Sequence, residues 1–410
     1  MRVFVTVVAV SLLACGASDS GQSGADSGPG SADGGALADG GCADCGQLAD
    51  LTLFVFDQSN KQILRFEDGN RDGDMMDSKE VSVFFNNDAG LGIYNSQGMV
   101  ALGSRTLLAT DNLAGANNDD SNVIRLDDSN ADGDAFDDGE ASYWFTGVLP
   151  AGGALTFPVS LTAGPDGAVY LVQNEYYNTE QPDMVYRLED LNGDDDVDDE
   201  GELSEFFDIT SRGEPIPQVF DLDFAADGSS YAVDIRTPEE NTASVDRISP
   251  DGSIMTEFID AVGFFTLTQD TDKLVFPGNV ESVAYDAVND ELIVSTIDLR
   301  SIKHLVALKD LDESGAIDQP GELRVIWDSE AGNAEGFLSI RDLHWIPDGS
   351  LLLTDSGAGQ IFRLVDENQD GDFNDPGEAI SLYDRDKAAD AGLPVSGNLF
   401  TTAVWIDSTR

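Results

Sequence analysis

The chain has 410 residues, 41% of them hydrophobic, which is enough apolar material for a real core. Its 78 Asp and Glu face only 21 Lys and Arg, leaving a formal net charge of −57. That charge excludes nucleic acid and an anionic membrane surface as partners, since both demand a basic face, and makes cations the natural ligand.

Residues 1–14 have the form of a signal peptide. Arg2 supplies the positive charge, and the apolar run Val3–Leu13 is short for a bilayer span. Leu-Leu-Ala-Cys follows, Leu12–Cys15. This resembles the lipobox of bacterial lipoproteins, and the resemblance implies that Cys15 becomes the lipidated mature N-terminus. Its diacylglycerol and third acyl chain would suffice for stable anchoring. Gly16 follows in place of the Asp that would mark inner-membrane retention. The expected location is therefore the bacterial cell envelope, on the outer membrane, facing the periplasm or the surface.

Residues 15–48 are Gly, Ala, Ser and Asp with almost nothing apolar, the composition of a flexible, self-repelling tether. The tether holds Cys42 and Cys45. Their flanks, DGGCADCGQ, lack the strand-to-helix setting of a thioredoxin-like redox site, so a small disulfide loop is expected in an oxidising envelope. No Cys follows, which excludes a zinc–thiolate cluster from the folded part.

Residues 49–410 form the expected folded domain, and its pattern is all-β. LFVFDQSNKQILRFED, Leu53–Asp68, reads as two strands and a turn that run into an acidic segment. The third repeat shows a full unit: VSLTAG, the turn PDG, AVYLVQN, a polar loop, MVYRLED, an acidic loop and LSEFFDI. That makes four short strands. No helical periodicity stands out beyond Leu51.

Five acidic segments align: DGNRDGDMMDSKE from Asp68, DSNADGDAFDDGE from Asp128, DLNGDDDVDDEGE from Asp190, DLDESGAIDQPGE from Asp310 and DENQDGDFNDPGE from Asp366. They resemble the calcium loops of EF-hands, dockerins and thrombospondin type 3 repeats. In such loops oxygens at alternate positions converge on one hard cation, and Gly at position 6 permits the bend. The resemblance implies up to five structural Ca2+ ions. The ligands would be Asp68, Asn70, Asp72, Asp74 and Glu80; Asp128, Asn130, Asp132, Asp134 and Glu140; Asp190, Asn192, Asp194, Asp196 and Glu202; Asp310, Asp312, Ser314 and Glu322; and Asp366, Asn368, Asp370, Asp372 and Glu378. The terminal Glu stands at 13 instead of 12, so either it or the acid at position 10 (Asp77, Asp137, Asp199 or Asp375) closes the shell.

The loop starts recur about every sixty residues with one member missing. RISPDGSIMTEF, Arg247–Phe258, fills that gap with a plain turn, giving six repeats. LDFAADGSSYAVD, VAYDAVNDELIVS and LHWIPDGSLLLTD resemble the inner strands of NHL-type and gluconolactonase-type propeller blades. The first repeat lacks an innermost strand, and NLFTTAVWID, Asn398–Asp407, can supply it. A six-bladed β-propeller of four-stranded blades, closed by its C-terminal strand, is expected. Closure would also remove a sheet edge prone to aggregation.

In an antiparallel blade, alternate turns share a face. The Asp-Gly turns and acidic loops therefore occupy one face, away from the channel mouth at which propeller enzymes of the resembling families work. The calcium loops are accordingly expected to be structural, each ion pinning the outer hairpin of its blade. On the other face, strand two ends in Asp57, Asp111, Asn174, Asp234 and Asp355, which either ring the mouth or cap their own turns. On the first strands, Asp221, Glu281 and Asp342 are the catalytic candidates. NVESVAYD around Glu281 resembles the Glu-bearing strand that binds the catalytic ion in gluconolactonase-like propellers, although the equivalent strands carry Gly98, Ser160 and Thr402. Two His, His304 and His344, lie in expected strands, and a quinone-dependent sugar dehydrogenase would want more basic residues than this chain has. QNEYYNTEQPD and VGFFTLTQDTDKLVF offer aromatics to a protein or glycan ligand. The leading expectation is a non-enzymatic, calcium-binding lipoprotein propeller that binds a partner; the alternative is a divalent-metal-dependent lactonase or esterase.

The location is testable. Cys15→Ser should move the protein from the detergent phase to the aqueous phase on Triton partitioning. Unchanged partitioning would refute lipid anchoring.

Overall fold

The computed structural model of this chain describes residues 51–87, 91–112, 121–149, 152–174, 183–208, 219–234, 243–269, 273–298, 301–329, 337, 339–394 and 398–406. The signal segment, Cys15, the tether, Cys42 and Cys45 lie outside these residues. So do most of QNEYYNTEQPD and Asp407.

Strands come in consecutive sets. Blade one contains β1 (Leu51–Asp57), β2 (Gln62–Glu67) and β3 (Val81–Asn86). Blade two is β4 (Met99–Ala101), β5 (Thr106–Asp111), β6 (Asn122–Asp127) and β7 (Ala141–Phe145). Blade three is β8 (Pro158–Ala163), β9 (Val169–Gln173), β10 (Met184–Leu188) and β11 (Leu203–Asp208). Blade four is β12 (Val219–Phe224), β13 (Ser230–Asp234), β14 (Ser244–Ile248) and β15 (Met255–Asp260), with helix α1 (Ala261–Thr268) after it. Blade five is β16 (Pro277–Asp286), β17 (Glu291–Asp298), β18 (Lys303–Leu308) and β19 (Leu323–Asp328). Blade six is β20 (Ile340–Trp345), β21 (Leu351–Asp355), β22 (Gln360–Leu364) and β23 (Ala379–Asp384), followed by helix α2 (Arg385–Ala391). The last strand, β24 (Leu399–Ile406), pairs with β1 and becomes the innermost strand of blade one. The chain is thus a six-bladed β-propeller closed by its C-terminal strand.

The two short helices depart from the all-strand expectation. Both are too brief to show a period in sequence. Asp260 caps α1 by accepting from Gly263 N, and Asp384 caps α2 by accepting from Asp386 N and Lys387 N. Within VGFFTLTQDTDKLVF, Phe264 is fully buried while Phe265 meets Phe276 edge-on at 5.7 Å.

Burial explains the unbroken apolar runs of the second strands. All residues of β1, β9 and β21 are buried, because a blade is covered on both faces by its neighbours. Six apolar clusters form among the described residues, one at each blade–blade seam. The cluster joining blades six and one packs Leu53, Leu64 and Phe66 with Leu352, Leu382 and Tyr383. Leu399 of β24 lies in the same cluster.

Removing 399–406 should strip this seam of Leu399, expose an edge of β1, and open the ring. The truncated chain should aggregate or melt without cooperativity, as read by size-exclusion chromatography and thermal circular dichroism. A monomeric, cooperatively melting truncation would contradict closure.

Candidate metal centres and channel

Each acidic loop leaves a third strand and returns as a fourth. Counting its first Asp as position 1, the backbone is left-handed at positions 4, 6 and 12 in all five loops. In the first these are Arg71, Gly73 and Lys79, with φ of 65°, 97° and 85°. In the third they are Gly193, Asp195 and Gly201, with φ of 79°, 72° and 97°. A Cβ resists this region, so five different sequences share a conformation that local preference alone would not give.

The shared shape turns side-chain oxygens inward. Position 1 accepts the N–H of position 6 in every loop: Gly73 to Asp68 at 3.1 Å, Gly133 to Asp128 at 3.2 Å, Asp195 to Asp190 at 3.0 Å, Gly315 to Asp310 at 2.7 Å and Gly371 to Asp366 at 2.9 Å. Position 13 accepts the N–H of position 10. Asp77 donates to Glu80 at 2.9 Å and Asp137 to Glu140 at 3.2 Å. Asp199 donates to Glu202 at 3.3 Å, Gln319 to Glu322 at 2.9 Å and Asp375 to Glu378 at 3.0 Å. These five Glu are 4%, 3%, 3%, 1% and 1% exposed, whereas Asp77, Asp137, Asp199 and Asp375 are exposed. The exposed acids are held by the Asn amide at position 3, as Asn192 Nδ2 holds Asp199 at 2.7 Å. The same clasp joins Asn70 to Asp77, Asn130 to Asp137 and Asn368 to Asp375.

Three loops bring carboxylate oxygens within 4.8 Å of one another: Asp68, Asp72 and Glu80; Asp194, Asp196 and Glu202; Asp310, Asp312 and Glu322. Burial raises the pKa of Glu80 and Glu378, and neighbouring carboxylates add to the rise. Asp74 and Asp134 move up for the same two reasons. In the last loop Glu378 Oε1 is buried with no hydrogen-bond partner. An all-oxygen donor set, mutually repelling and partly dry, suits a hard cation.

The eighth residue of each loop was not singled out from sequence, and it has a different role. It is apolar and buried in the seam to the preceding blade: Met75, Ala135, Val197, Ile317 and Phe373. Its N–H donates to a carbonyl on that blade's outermost strand. Met75 reaches Leu382 at 2.9 Å, Ala135 reaches Phe84 at 2.8 Å, Val197 reaches Trp144 at 2.8 Å, Ile317 reaches Phe258 at 2.8 Å and Phe373 reaches Ile326 at 2.7 Å. The loops thus bridge blades, besides pinning their own hairpins. The seam between blades three and four has a plain turn instead, and Gly252 lies so close that a Cβ there would stand 2.2 Å from the Phe206 carbonyl oxygen.

The channel holds all three catalytic candidates. A space of about 270 Å³ is lined by Asp221, Asp223, Glu281, Arg341, Asp342 and His344, among others. A register irregularity in β8, β12, β16 and β20 falls just before Ser160, Asp221, Ser282 and Asp342. These residues and Thr401, rather than the expected Thr402, form one level of the ring. Asp221 Oδ1 accepts from Ser160 Oγ at 2.9 Å, and its Oδ2 from Ser282 Oγ at 2.9 Å and Val283 N at 3.1 Å. Asp342 Oδ2 accepts from Thr402 N at 2.7 Å and Thr401 Oγ1 at 3.2 Å. Both acids therefore stitch neighbouring inner strands together. Gly98 stands at the same level, where a Cβ would meet the Ser160 backbone at 2.6 Å. Glu281 sits one residue before this level. Its Oε2 is buried without a hydrogen-bond partner, and Arg341, held between Phe220 and Phe400, offsets part of its burial.

The second-strand ends divide. Asp57 caps its own turn through Ser59 N and Asn60 N, and Asp355 does so through Gly357 N and Ala358 N. Asp111 accepts instead from Tyr94 N and Asn95 N ahead of β4, while Asn174 Nδ2 donates across the seam to Val219 O at 2.8 Å. Asp234 pairs with Val219 through its backbone register. His304 is buried in β18, and His344 Nε2 lies 3.1 Å from Thr402 O.

No family model and no curated protein matches this sequence. Solved structures similar to it include a gluconolactonase from Xanthomonas campestris, 16% identical over 70% of this chain and 74% of that one, with a TM-score of 0.42. A regucalcin from Agrobacterium tumefaciens, described as a calcium-binding protein, is 11% identical over 68% and 73%, with a TM-score of 0.43. The PQQ-bound aldose sugar dehydrogenase of Streptomyces coelicolor is 15% identical over 70% and 82%, with a TM-score of 0.43. Likeness of this degree says nothing of what the present chain binds or converts.

Burial and the nearby Asp342 carboxylate push the Asp221 pKa up to about 7. Burial also raises Asp223. Burial works to lower His344, but Asp342, Asp221 and Asp223 raise it on balance. All three groups hold protons more tightly in the folded ring than in the unfolded chain. The stability they contribute is thus full in acid and lost as pH rises through the folded values. Asp221→Asn should flatten the fall in melting temperature between about pH 4 and about pH 7, relative to wild type in the same buffers. Parallel profiles would mean that Asp221 does not titrate as described.

Proposed function

We propose that this protein is a calcium-stabilised propeller that serves as a binding module on the bacterial cell envelope, held by a lipid on Cys15. The observation that carries the calcium reading is the loop geometry. All five loops share one backbone shape, bury their Glu at position 13 and lodge an apolar residue in the seam to the preceding blade, and three of them gather carboxylates around one point. Ca2+ accepts six to eight oxygens in flexible geometry, which such a loop can supply. In this reading the Glu at position 13 closes the shell and the acid at position 10 stays with its Asn. The ion replaces repulsion among carboxylates with attraction, and thereby sets the eighth residue against the neighbouring blade.

The alternative, a divalent-metal-dependent lactonase or esterase, has one observation in its favour: the unpartnered Glu281 Oε2 in the channel. Against it, the carboxylates of Asp221 and Asp342 are engaged by adjacent strands. Those contacts support a structural duty for the ring acids, and the binding-module reading is preferred on that ground.

Calcium should raise the melting temperature strongly and a chelator should lower it. A ligand that binds only the folded state adds about 2.7 kcal/mol per site when present a hundredfold above its dissociation constant. Magnesium should substitute poorly, because it demands a tighter six-oxygen shell. Asp366→Ala should remove one ion and leave the others. The loop at Asp310, with Ser314 at position 5 and Ala316 at position 7, should bind most weakly. Native mass spectrometry with scanning calorimetry decides the matter. Fewer than three bound ions at millimolar calcium, or no shift in melting, would overturn the assignment. A lactone hydrolysis rate abolished by Glu281→Gln would favour the alternative.

A further inference from the structure

Blade four lacks an acidic loop, and the face bearing the other loops opens beside it. Between blades four and five lies a cleft of about 510 Å³, within the ~300–1,000 Å³ range of small-molecule sites. Its walls include Tyr231, Tyr285, Asp227, Arg247, Lys309 and Glu313. Tyr231 packs edge-on against Phe258 at 4.9 Å, which fixes its ring. Tyr285 is steered by its hydroxyl, which donates to Asp290 at 2.5 Å. Val288 and Leu311, next in sequence to the lining Ala287 and Asp310, are 70% and 59% exposed.

The charges in this cleft are already arranged. Arg247 donates to Asp227 at 3.0 Å and to Ser229 Oγ at 3.1 Å, and lies 6.0 Å from the centre of the Tyr231 ring. A cationic ligand would find that aromatic face occupied by a guanidinium. Lys309 donates to the Asn289 carbonyl. An anionic ligand would face Asp227, Asp290, Asp310 and Glu313. Arg247 is paired with Asp227 and the Tyr285 hydroxyl with Asp290, so the walls offer a guanidinium donor and an excess of carboxylate acceptors next to tyrosine rings. This matches a ligand with many hydroxyls and a C–H face, which takes hydrogen bonds of both senses and stacks on aromatics.

We infer that the cleft between blades four and five is a binding site for a neutral saccharide. The inference gives the binding-module reading a place and a ligand class, and rests on that reading alone.

Saturation-transfer NMR on the intact chain in calcium tests it. The probes are glucose, galactose, N-acetylglucosamine and their β-linked disaccharides, with choline and gluconate as cationic and anionic controls. At least one neutral sugar should bind at millimolar concentration, while the two controls show no transfer. Tyr285→Ala and Arg247→Gln should each weaken binding at least about tenfold. Because Tyr285→Ala removes packing, Tyr285→Phe and Asp227→Asn, at an exposed acid outside the acidic loops, serve as milder variants, and one of them should also lower the signal. Absence of transfer to every neutral sugar, preference for choline or gluconate, or binding indifferent to all four variants would overturn the inference. The calcium-dependent melting shift does not involve these side chains, so the two proposals fail separately.

Discussion

One short contact organises the ring: a backbone N–H at the eighth position of a loop, given to the outermost strand of the blade before it. Outermost strands are sheet edges, and an edge with free carbonyls invites pairing with another chain. Here each of five edges has a carbonyl taken by a neighbour's loop, and an apolar side chain beside the contact seals the seam. The acidity of the protein follows from the same contact. A loop that reaches sideways and returns within thirteen residues must bend repeatedly, and the bends are held by carboxylates accepting the loop's own N–H groups. The carboxylates at positions 1 and 13 of the five loops are therefore part of the scaffold that positions the seam residue.

The inner ring solves the opposite problem. Channel-lining strands have no neighbour on their inward side, yet their polar backbone groups need partners. Asp221 and Asp342 answer this by reaching along the ring to Val283 N and Thr402 N. Partners stand about sixty residues apart, one blade on, so the bonds tie successive repeats. The cost is that Asp221 and Asp223 are kept short of water, which raises their hold on a proton.

The periodic features were legible in sequence. The spacing of the acidic segments and the plain turn at Pro250-Asp251-Gly252 identified six repeats. Leu53–Asp68, which runs through two strands straight into an acidic segment, exposed the missing inner strand. What stayed hidden depends on direction in space. Met75, Val197 and Phe373 are visible as apolar residues inside acidic loops, but a single chain does not state which blade they enter. Glu281 was grouped with Asp221 and Asp342 as an acid on a first strand. A one-residue irregularity places Ser282, not Glu281, at the level of the other two. The helices α1 and α2 span eight and seven residues, too few turns for a period to emerge.

Closure by β24 has a consequence for how the chain could be rearranged. Leu51 and Ile406 are antiparallel partners in one sheet, so the first and last strands adjoin as the two arms of a hairpin would. A turn of a few residues could splice them, and the sequence could then be opened elsewhere without altering any blade. The natural place to cut is the turn of blade four, where no acidic loop crosses to the neighbour. Such a circular permutant would turn the closing strand into an ordinary internal one, and would move the burden of joining first to last onto the pairing of β14 with β15 inside blade four.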